Sequence, residues 1–239
     1  MDTRGAMSSE HRDASVAAQA ESLAQSVAED LSLALQRRGA ASLVVSGGRT
    51  PAAMFARLAT KSLDWSRVQI TLADERWVGF DHPASNERLV RAELLRDAAA
   101  AARLIGMKND AESPYIGAHS AWQLIGAMPR PFDVVLLGMG DDGHTASLFP
   151  GSAELAAGLD ASAAPACIGV RPLAAPFTRL SLNLAALLDS RRICLQIVGA
   201  PKWQVYEKAC ESGPESEMPI RAILRQSRVP VEVYWCPAG

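Results

Sequence analysis

Residues 138–144 carry the side chains best suited to acid–base chemistry. They follow an apolar predicted strand and read Gly-Met-Gly-Asp-Asp-Gly-His, so that Asp142 lies two residues before His144. A neutral imidazole can take a proton from water near pH 7, and a neighbouring carboxylate fixes its tautomer and raises its basicity. The loop therefore predicts a general-base site. The alternative is a turn in which the histidine and the aspartates only satisfy backbone amides.

The same loop matches Gly-x-Gly-x-x-Gly, the pattern of dinucleotide-binding turns. That pattern needs an acidic residue about 20 positions later, at the end of the next strand. Asp160 lies at about this distance, but in an Ala/Gly-rich segment with no strand before it. The adjacent carboxylates of Asp141 and Asp142 would also repel a pyrophosphate. We therefore expect no dinucleotide cofactor.

A second candidate segment, residues 46–51, reads Ser-Gly-Gly-Arg-Thr-Pro and joins a predicted strand to a predicted helix. Glycines let backbone amides point at a ligand, and a helix N-terminus favours an anion. No Gly-Lys-Ser/Thr follows, so the segment suits a single phosphate better than a nucleotide. Thr50 is expected to cap the helix, with Pro51 in its first turn. An ordinary strand–helix turn is the alternative.

Two basic residues could complete an anion site. Lys202 lies at the start of a predicted helix, where its charge is unfavourable unless an anion is shared with the helix end. Arg179 opens a predicted strand, and either residue could instead be a solvated surface charge. For a metal, Asp141, Asp142 and His144 are too close in sequence to close a site alone, and no paired His/Cys spacing occurs. We expect no metal.

The elements that must position these residues follow from hydrophobic patterning. Strands are predicted at 41–46, 68–73, 104–107, 132–137, 166–170, 179–182, 193–198 and 231–235. Helices are predicted at 14–38, from 50, and at 85–95, 118–127, 202–210 and 220–226. Continuously apolar strands that alternate with helices indicate an α/β fold with a mainly parallel sheet flanked by helices. Ligands of such sheets bind beyond the carboxyl ends of the strands, where residues 46–50, 74–76 and 138–144 fall.

Composition limits the class of protein. The 239 residues are 49% hydrophobic and 21% charged, which predicts one globular α/β domain over 14–239, with 145–180 as a small cap and 1–13 as a disordered tail. A net charge of −2 argues against a nucleic-acid-coating protein. No window reaches the roughly 18 apolar residues of a membrane span. The four scattered cysteines and the polar N-terminus predict a cytoplasmic protein.

Four segments, taken together, resemble the bacterial 6-phosphogluconolactonases. They are SGGRTP at 46–51, DERWV at 74–78 with SN at 85–86, GMGDDGHTASLFPG at 138–151, and the turn at 199–202. They occur in the family's order, and the resemblance covers about residues 15–236. It implies a modified Rossmann-like fold, shared with glucosamine-6-phosphate deaminase and ribose-5-phosphate isomerase. It also implies cofactor-free hydrolysis of 6-phospho-D-glucono-1,5-lactone in the oxidative pentose phosphate pathway.

Carried onto this sequence, the resemblance implies that His144 is the general base and Asp142 the acidic residue beside it. Either Arg76 or the backbone amides of 138–144 could stabilise the oxyanion that develops on the lactone. The remaining matching positions would bind the substrate or its phosphate group: Ser46, Gly47, Gly48, Thr50, Asp74, Arg179 and Lys202.

Two residues depart from the family's pattern. Arg49 stands where serine is commoner, and it could either add a phosphate contact or face solvent. Gly79 stands where the family has proline, which leaves the conformation of that loop open and does not touch the acid–base cluster.

Two other functions compete with lactone hydrolysis. The first is an aldose–ketose isomerase or glucosamine-6-phosphate deaminase of the same fold group. The deaminases carry a carboxylate just before the proline of the 138–151 segment, where this chain has Phe149. A non-catalytic sugar-phosphate-sensing module would add a helix-turn-helix, whereas the N-terminal region predicts a single long helix. We expect a small sugar phosphate lactone as ligand, no nucleic-acid or membrane partner, and a monomer or weak homo-oligomer.

Overall fold

The computed structural model describes residues 8–238, and its centre is a seven-stranded sheet in which every neighbouring pair is parallel. The strands lie in the order β1-β10-β9-β6-β2-β3-β5. Their bounds are β1 Ser8–Arg12, β2 Ala41–Val45, β3 Val68–Leu72, β5 Arg103–Ile105, β6 Val134–Leu137, β9 Ile193–Val198 and β10 Val231–Cys236. All residues of β2 and β6 are buried, as their continuous apolar sequences predict.

Eight α-helices within residues 8–238 connect and cover the strands. They are α1 Val16–Arg38, α2 Ala52–Leu58, α3 Asn86–Glu93, α4 Pro114–Ile125, α5 Leu155–Gly158, α6 Leu184–Leu188, α7 Ala200–Cys210 and α8 Ile220–Arg225. The long helix α1 is capped at its start by the Ser15 side chain and ends at Gly39, whose φ of 76° suits glycine. Its buried face includes Leu23, Val27 and Leu31. None of these helices has the length and apolar character that a membrane span requires.

A second sheet of three short antiparallel strands lies beside the first. Its order is β4-β8-β7, with β4 at Asp74–Arg76, β7 at Cys167–Val170 and β8 at Arg179–Leu182. The sequence predicts β7 and β8 as strands, whereas residues 74–76 were expected only as the polar end of the preceding strand. The α/β fold with a mainly parallel sheet is confirmed, and the small sheet is an addition to it.

The strand order places a crevice at one point of the large sheet. From β2 the chain adds β3 and β5 toward one edge, and then returns to add β6, β9 and β10 on the other side. The carboxyl ends of β2 and β6 are therefore neighbours, and Val45 pairs with Leu136. The chain leaves them in opposite directions, because the next strands of the large sheet, β3 and β9, lie on opposite sides of this pair. Such a switch point is where open α/β sheets bind ligands.

The N-terminal segment departs from the sequence prediction. Residues 1–13 were expected to be a disordered tail, which is wrong for Ser8–Arg12, because they form β1 in parallel register with β10. His11 stacks on Tyr234 with 4.3 Å between ring centroids, and its Nε2 lies 3.1 Å from Oε2 of Glu232. The expectation for residues 1–7 lies outside the described residues. Since Ser-Ser-Glu-His-Arg has no apolar alternation, its sequence gives no strand signal.

The start of α2 also differs from the prediction. Helix α2 begins at Ala52, its N-cap is Pro51, and no side chain caps it, so the expected capping role of Thr50 is wrong. Thr50 instead lies at the crevice and lines it.

Candidate active site

A cleft of about 560 Å³ opens at the carboxyl ends of β2, β6 and β9. Nine of the ten site residues predicted from the sequence line it: Ser46, Gly47, Gly48, Thr50, Asp74, Arg76, His144, Arg179 and Lys202. The tenth, Asp142, lies behind His144 and contacts its ring. Five separate stretches of the chain thus meet in one place, while His11, His82 and His119 do not line the cleft.

His144 and Asp142 form a hydrogen-bonded pair at the cleft. Nδ1 of His144 lies 2.5 Å from Oδ1 of Asp142, which also accepts the His144 backbone N–H at 3.1 Å. Burial would raise the pKa of Asp142, but the hydrogen bonds from His144 outweigh burial and lower it. When Nδ1–H donates to this carboxylate, Nε2 is the unprotonated nitrogen, and it can accept a proton from water.

Glycines make this pair possible. A Cβ on Gly140 would lie 2.0 Å from Nδ1 of His144, so any larger residue would displace the imidazole. Gly143 has a φ of 78°, which closes the turn before His144. The imidazole then packs against the ring of Phe149, with 4.1 Å between centroids.

The loop that follows β6, residues 138–147, is called the histidine loop here. Hydrogen bonds hold it both to itself and to the small sheet. Thr145 donates from Oγ1 to the Gly138 carbonyl at 2.9 Å, which closes the loop on itself. Ser147 donates from Oγ to Oδ2 of Asp74 at 2.6 Å, and its backbone N–H donates to Oγ of Ser181 at 3.1 Å. Ser147 thereby joins the histidine loop to the small sheet. Sequence reasoning missed this role, because the partners of Ser147 are far away in sequence.

Glu75 is the structural residue of the 74–76 segment. Its buried carboxylate accepts the backbone N–H groups of Arg76, Asn86 and Glu87, each at 2.7 Å, and the Ser85 hydroxyl at 3.0 Å. Burial raises the pKa of Glu75, and these hydrogen bonds act in the opposite direction. A carboxylate at the first turn of α3 is also favoured by the helix dipole. Glu75 thus fixes α3 against β4, which presents Arg76 to the cleft.

Asn86 is a lining residue that the sequence prediction omitted. Its Nδ2 donates to the Asp74 carbonyl at 2.9 Å. A Cβ on Gly47 would lie 1.8 Å from Oδ1 of Asn86, so any larger residue at position 47 would collide with the Asn86 side chain. The Ser-Asn pair at 85–86, which is part of the family resemblance, could have indicated Asn86 as a site residue.

Two arginines face each other across β4 and β8. Arg76 and Arg179 are directly paired in the antiparallel register, an arrangement in which like charges repel. Burial and then the charge of Arg76 lower the pKa of Arg179, against the attraction of Asp74, whose Oδ2 lies 3.7 Å from Nη1. Within residues 8–238, the Nε atoms of both arginines are buried without a hydrogen-bond partner. A bound anion would relieve the repulsion and supply acceptors.

Lys202 reaches the histidine loop from the first turn of α7. Its Nζ donates to the Met139 carbonyl at 2.8 Å and lies 2.7 Å from Oδ1 of the exposed Asp141. The structure therefore brings Lys202 to the cleft, as predicted, with a counter-ion already beside it.

The turn after β2 offers further donors. The buried hydroxyl of Ser46 has no hydrogen-bond partner, and Gly48 has a φ of 97°. Because α2 has seven residues and no side-chain cap, the turn itself carries the anion-binding argument, rather than the helix end on which the sequence analysis relied.

The comparisons with known proteins agree with this geometry. The family profile described as "Glucosamine-6-phosphate isomerases/6-phosphogluconolactonase" matches residues 14–235. This chain belongs to that family. A 6-phosphogluconolactonase of Rhizobium meliloti (strain 1021) is 44% identical over 218 residues, covering 91% of this chain and 94% of that protein. A 6-phosphogluconolactonase of Pseudomonas aeruginosa is 44% identical over 223 residues, covering 93% and 92%.

Two solved structures have the same fold as this chain. The crystal structure of a 6-phosphogluconolactonase from Shewanella baltica OS155 superposes with a TM-score of 0.94 at 46% identity, covering 98% of this chain and 99% of that one. A monomeric glucosamine-6-phosphate deaminase has a TM-score of 0.76 at 18% identity, which shows the shared fold alone. Within this family, Phe149 stands where the deaminases were expected to carry a carboxylate, and it packs on His144.

Proposed function

We propose that the protein hydrolyses 6-phospho-D-glucono-1,5-lactone to 6-phospho-D-gluconate, a step of the oxidative pentose phosphate pathway. The observation that carries this proposal is the His144–Asp142 pair at a cleft lined by arginines and a lysine. Relatives named 6-phosphogluconolactonase that match over nine-tenths of the chain support the same substrate.

The chemistry needs one base and good positioning, because a δ-lactone is already a reactive ester. Nε2 of His144 takes a proton from water, and the water oxygen attacks C1 of the lactone. The tetrahedral intermediate collapses with cleavage of the bond between C1 and the ring oxygen. The imidazolium then returns its proton to that oxygen. Asp142 stabilises the imidazolium and holds the ring, without itself accepting the proton.

Arg76 is our candidate for stabilising the negative charge on the C1 oxygen. Its Nη1 donates to the Ala84 carbonyl at 2.7 Å, so the guanidinium is held in place before substrate arrives. A donor that is already oriented costs no reorganisation in the transition state. The amides of residues 138–144 remain an alternative donor set.

The phosphate group would bind at the other charged positions. Lys202, Arg179 and the turn at 46–50 supply cations, hydroxyls and amides that suit a nearly dianionic group. Because this group is remote from C1, its binding energy can position the lactone against His144. Asp74 joins the two ends, since it lies beside Arg179 and accepts from the histidine loop.

The proposal is tested on freshly generated 6-phosphogluconolactone, with acid release followed in a pH-stat and the spontaneous rate subtracted. The wild-type protein should accelerate hydrolysis, and His144→Ala should lower kcat by about 10²–10⁴, the usual contribution of a general base. Asp142→Asn should lower it less. A folded His144→Ala variant with wild-type kcat would remove the base assignment, and an inactive wild-type protein would remove the function.

The ligand is a small sugar phosphate, and we propose a cytoplasmic enzyme that acts as a monomer or weak homo-oligomer, without nucleic acid or membrane.

A further inference from the structure

The turn between β2 and α2 carries a cation without a partner. Arg49 lines the cleft and its side chain is exposed. Within residues 8–238 its guanidinium makes no hydrogen bond and no ion pair, although its backbone carbonyl accepts from the Ala52 N–H at 3.4 Å. It is followed by Thr50 and preceded by Gly48, whose φ of 97° turns the backbone at this point.

The charges that line the cleft do not balance. Four cations line it, namely Arg49, Arg76, Arg179 and Lys202, against the two carboxylates of Asp74 and Asp141. Each carboxylate already has a cation: Asp74 lies 3.7 Å from Arg179, and Asp141 lies 2.7 Å from Lys202. Two positive charges are left over, and they belong to Arg49 and Arg76.

These two residues differ in their freedom to move. Arg76 is held by the Ala84 carbonyl and has a buried Nε. The Arg49 side chain has no hydrogen bond or ion pair in the described part of the chain, so its guanidinium can follow a ligand that enters the cleft. The unpartnered Ser46 hydroxyl lies three residues earlier, at the base of the same turn.

Resting on the proposed function, we propose that Arg49 is a specificity-determining residue that binds the phosphate group of the substrate, together with the glycine turn at Gly47 and Gly48. A guanidinium donates two parallel hydrogen bonds to a phosphate, a geometry that neither serine nor lysine reproduces. Its charge adds an unopposed cation to the phosphate site, where Arg179 and Lys202 already lie beside the carboxylates of Asp74 and Asp141. The enzyme would therefore discriminate phosphorylated from unphosphorylated ligands through Arg49 as well as through Lys202.

Direct binding separates this proposal from effects on catalysis. Calorimetric titrations would compare 6-phosphogluconate with gluconate on the wild type, Arg49→Ser and Arg49→Lys. Arg57→Ser is the matched control, because Arg57 is an exposed arginine of α2, 3.8 Å from Glu21 and outside the cleft. Thermal melting of each variant would establish that it folds.

We expect Arg49→Ser to bind 6-phosphogluconate about tenfold more weakly, the size of one charge-assisted hydrogen bond, with gluconate unchanged. Inorganic phosphate should compete less well against the lactone in this variant. Arg49→Lys should lie between the wild type and Arg49→Ser, and Arg57→Ser should match the wild type.

Three outcomes would overturn the proposal. Unchanged 6-phosphogluconate affinity in Arg49→Ser would mean that Arg49 faces solvent. An equal loss for gluconate would mean that it acts through the structure of the turn. Arg49→Lys that binds 6-phosphogluconate as tightly as the wild type would exclude the role given to the guanidinium geometry. In each case lactone hydrolysis by the wild type would leave the proposed function intact, whereas a wild type without that activity would fail the function itself.

Discussion

The role that we propose for His144 depends on a residue only two positions away, Asp142. Burial would raise the pKa of Asp142, but the hydrogen bonds from His144 lower it, so the carboxylate stays ionised and continues to orient the imidazole. Such short-range pairs are visible in a sequence, since the residue types carry the chemistry and the glycines mark the turn. Glu75, Asn86 and Ser147 are different, because each acts on a partner that only the fold brings near.

Lys202 is proposed to bind the phosphate group of the substrate, and a single substitution tests this. Lys202→Ala should raise KM strongly for the phosphorylated lactone, with a smaller fall in kcat that reflects poorer positioning. Unphosphorylated gluconolactone makes no phosphate contact, so its kcat/KM should barely change. Steady-state kinetics with both lactones measures this. Equal losses for the two substrates would place Lys202 at C1 or in the fold, and not at the phosphate.

At the scale of elements, the cleft depends on how α3 and β4 are joined. Glu75→Ala would leave the N–H groups of Arg76, Asn86 and Glu87 without their acceptor, one of them buried and two half-buried. We expect a loss of about 2–4 kcal/mol in the free energy of unfolding, and a lower kcat/KM because Arg76 loses its support. Denaturant unfolding and kinetics together test this.

The control for Glu75 lies on the same helix. Arg91 is an exposed residue of α3 that pairs with Glu87 at 2.7 Å. Arg91→Ala should cost about 0.5 kcal/mol or less, as exposed pairs of this spacing do. Equal destabilisation by the two substitutions would show that Glu75 is not an anchor.

The elements themselves were predictable to different degrees. Apolar runs identify β2, β6 and β9, because strands buried on both faces leave little choice of residue. The polar strands β1 and β4 have five and three residues and gave no such signal. Their pairing with β10 and β8 decides their conformation, and this is long-range information that local patterning does not contain.

For the molecule as a whole, we predict activity without a metal ion. No group of three or more His, Cys, Asp or Glu side chains in residues 8–238 is arranged to hold one. Prolonged dialysis against EDTA, followed by assay in metal-free buffer, should therefore leave the hydrolysis rate unchanged. A loss of rate that a divalent ion restores would replace the histidine mechanism with a metal-assisted one.

Strand β1 has a consequence for the order in which the protein is made. Its neighbour in the sheet is β10, and Ser8 is paired with Val231, so β1 can join the sheet only when β10 is present. During synthesis, β1 has no strand to pair with until all the residues between Arg12 and Val231 have been translated. Closure of that edge of the sheet belongs among the last events of folding, after the strands that form the cleft have been able to pair.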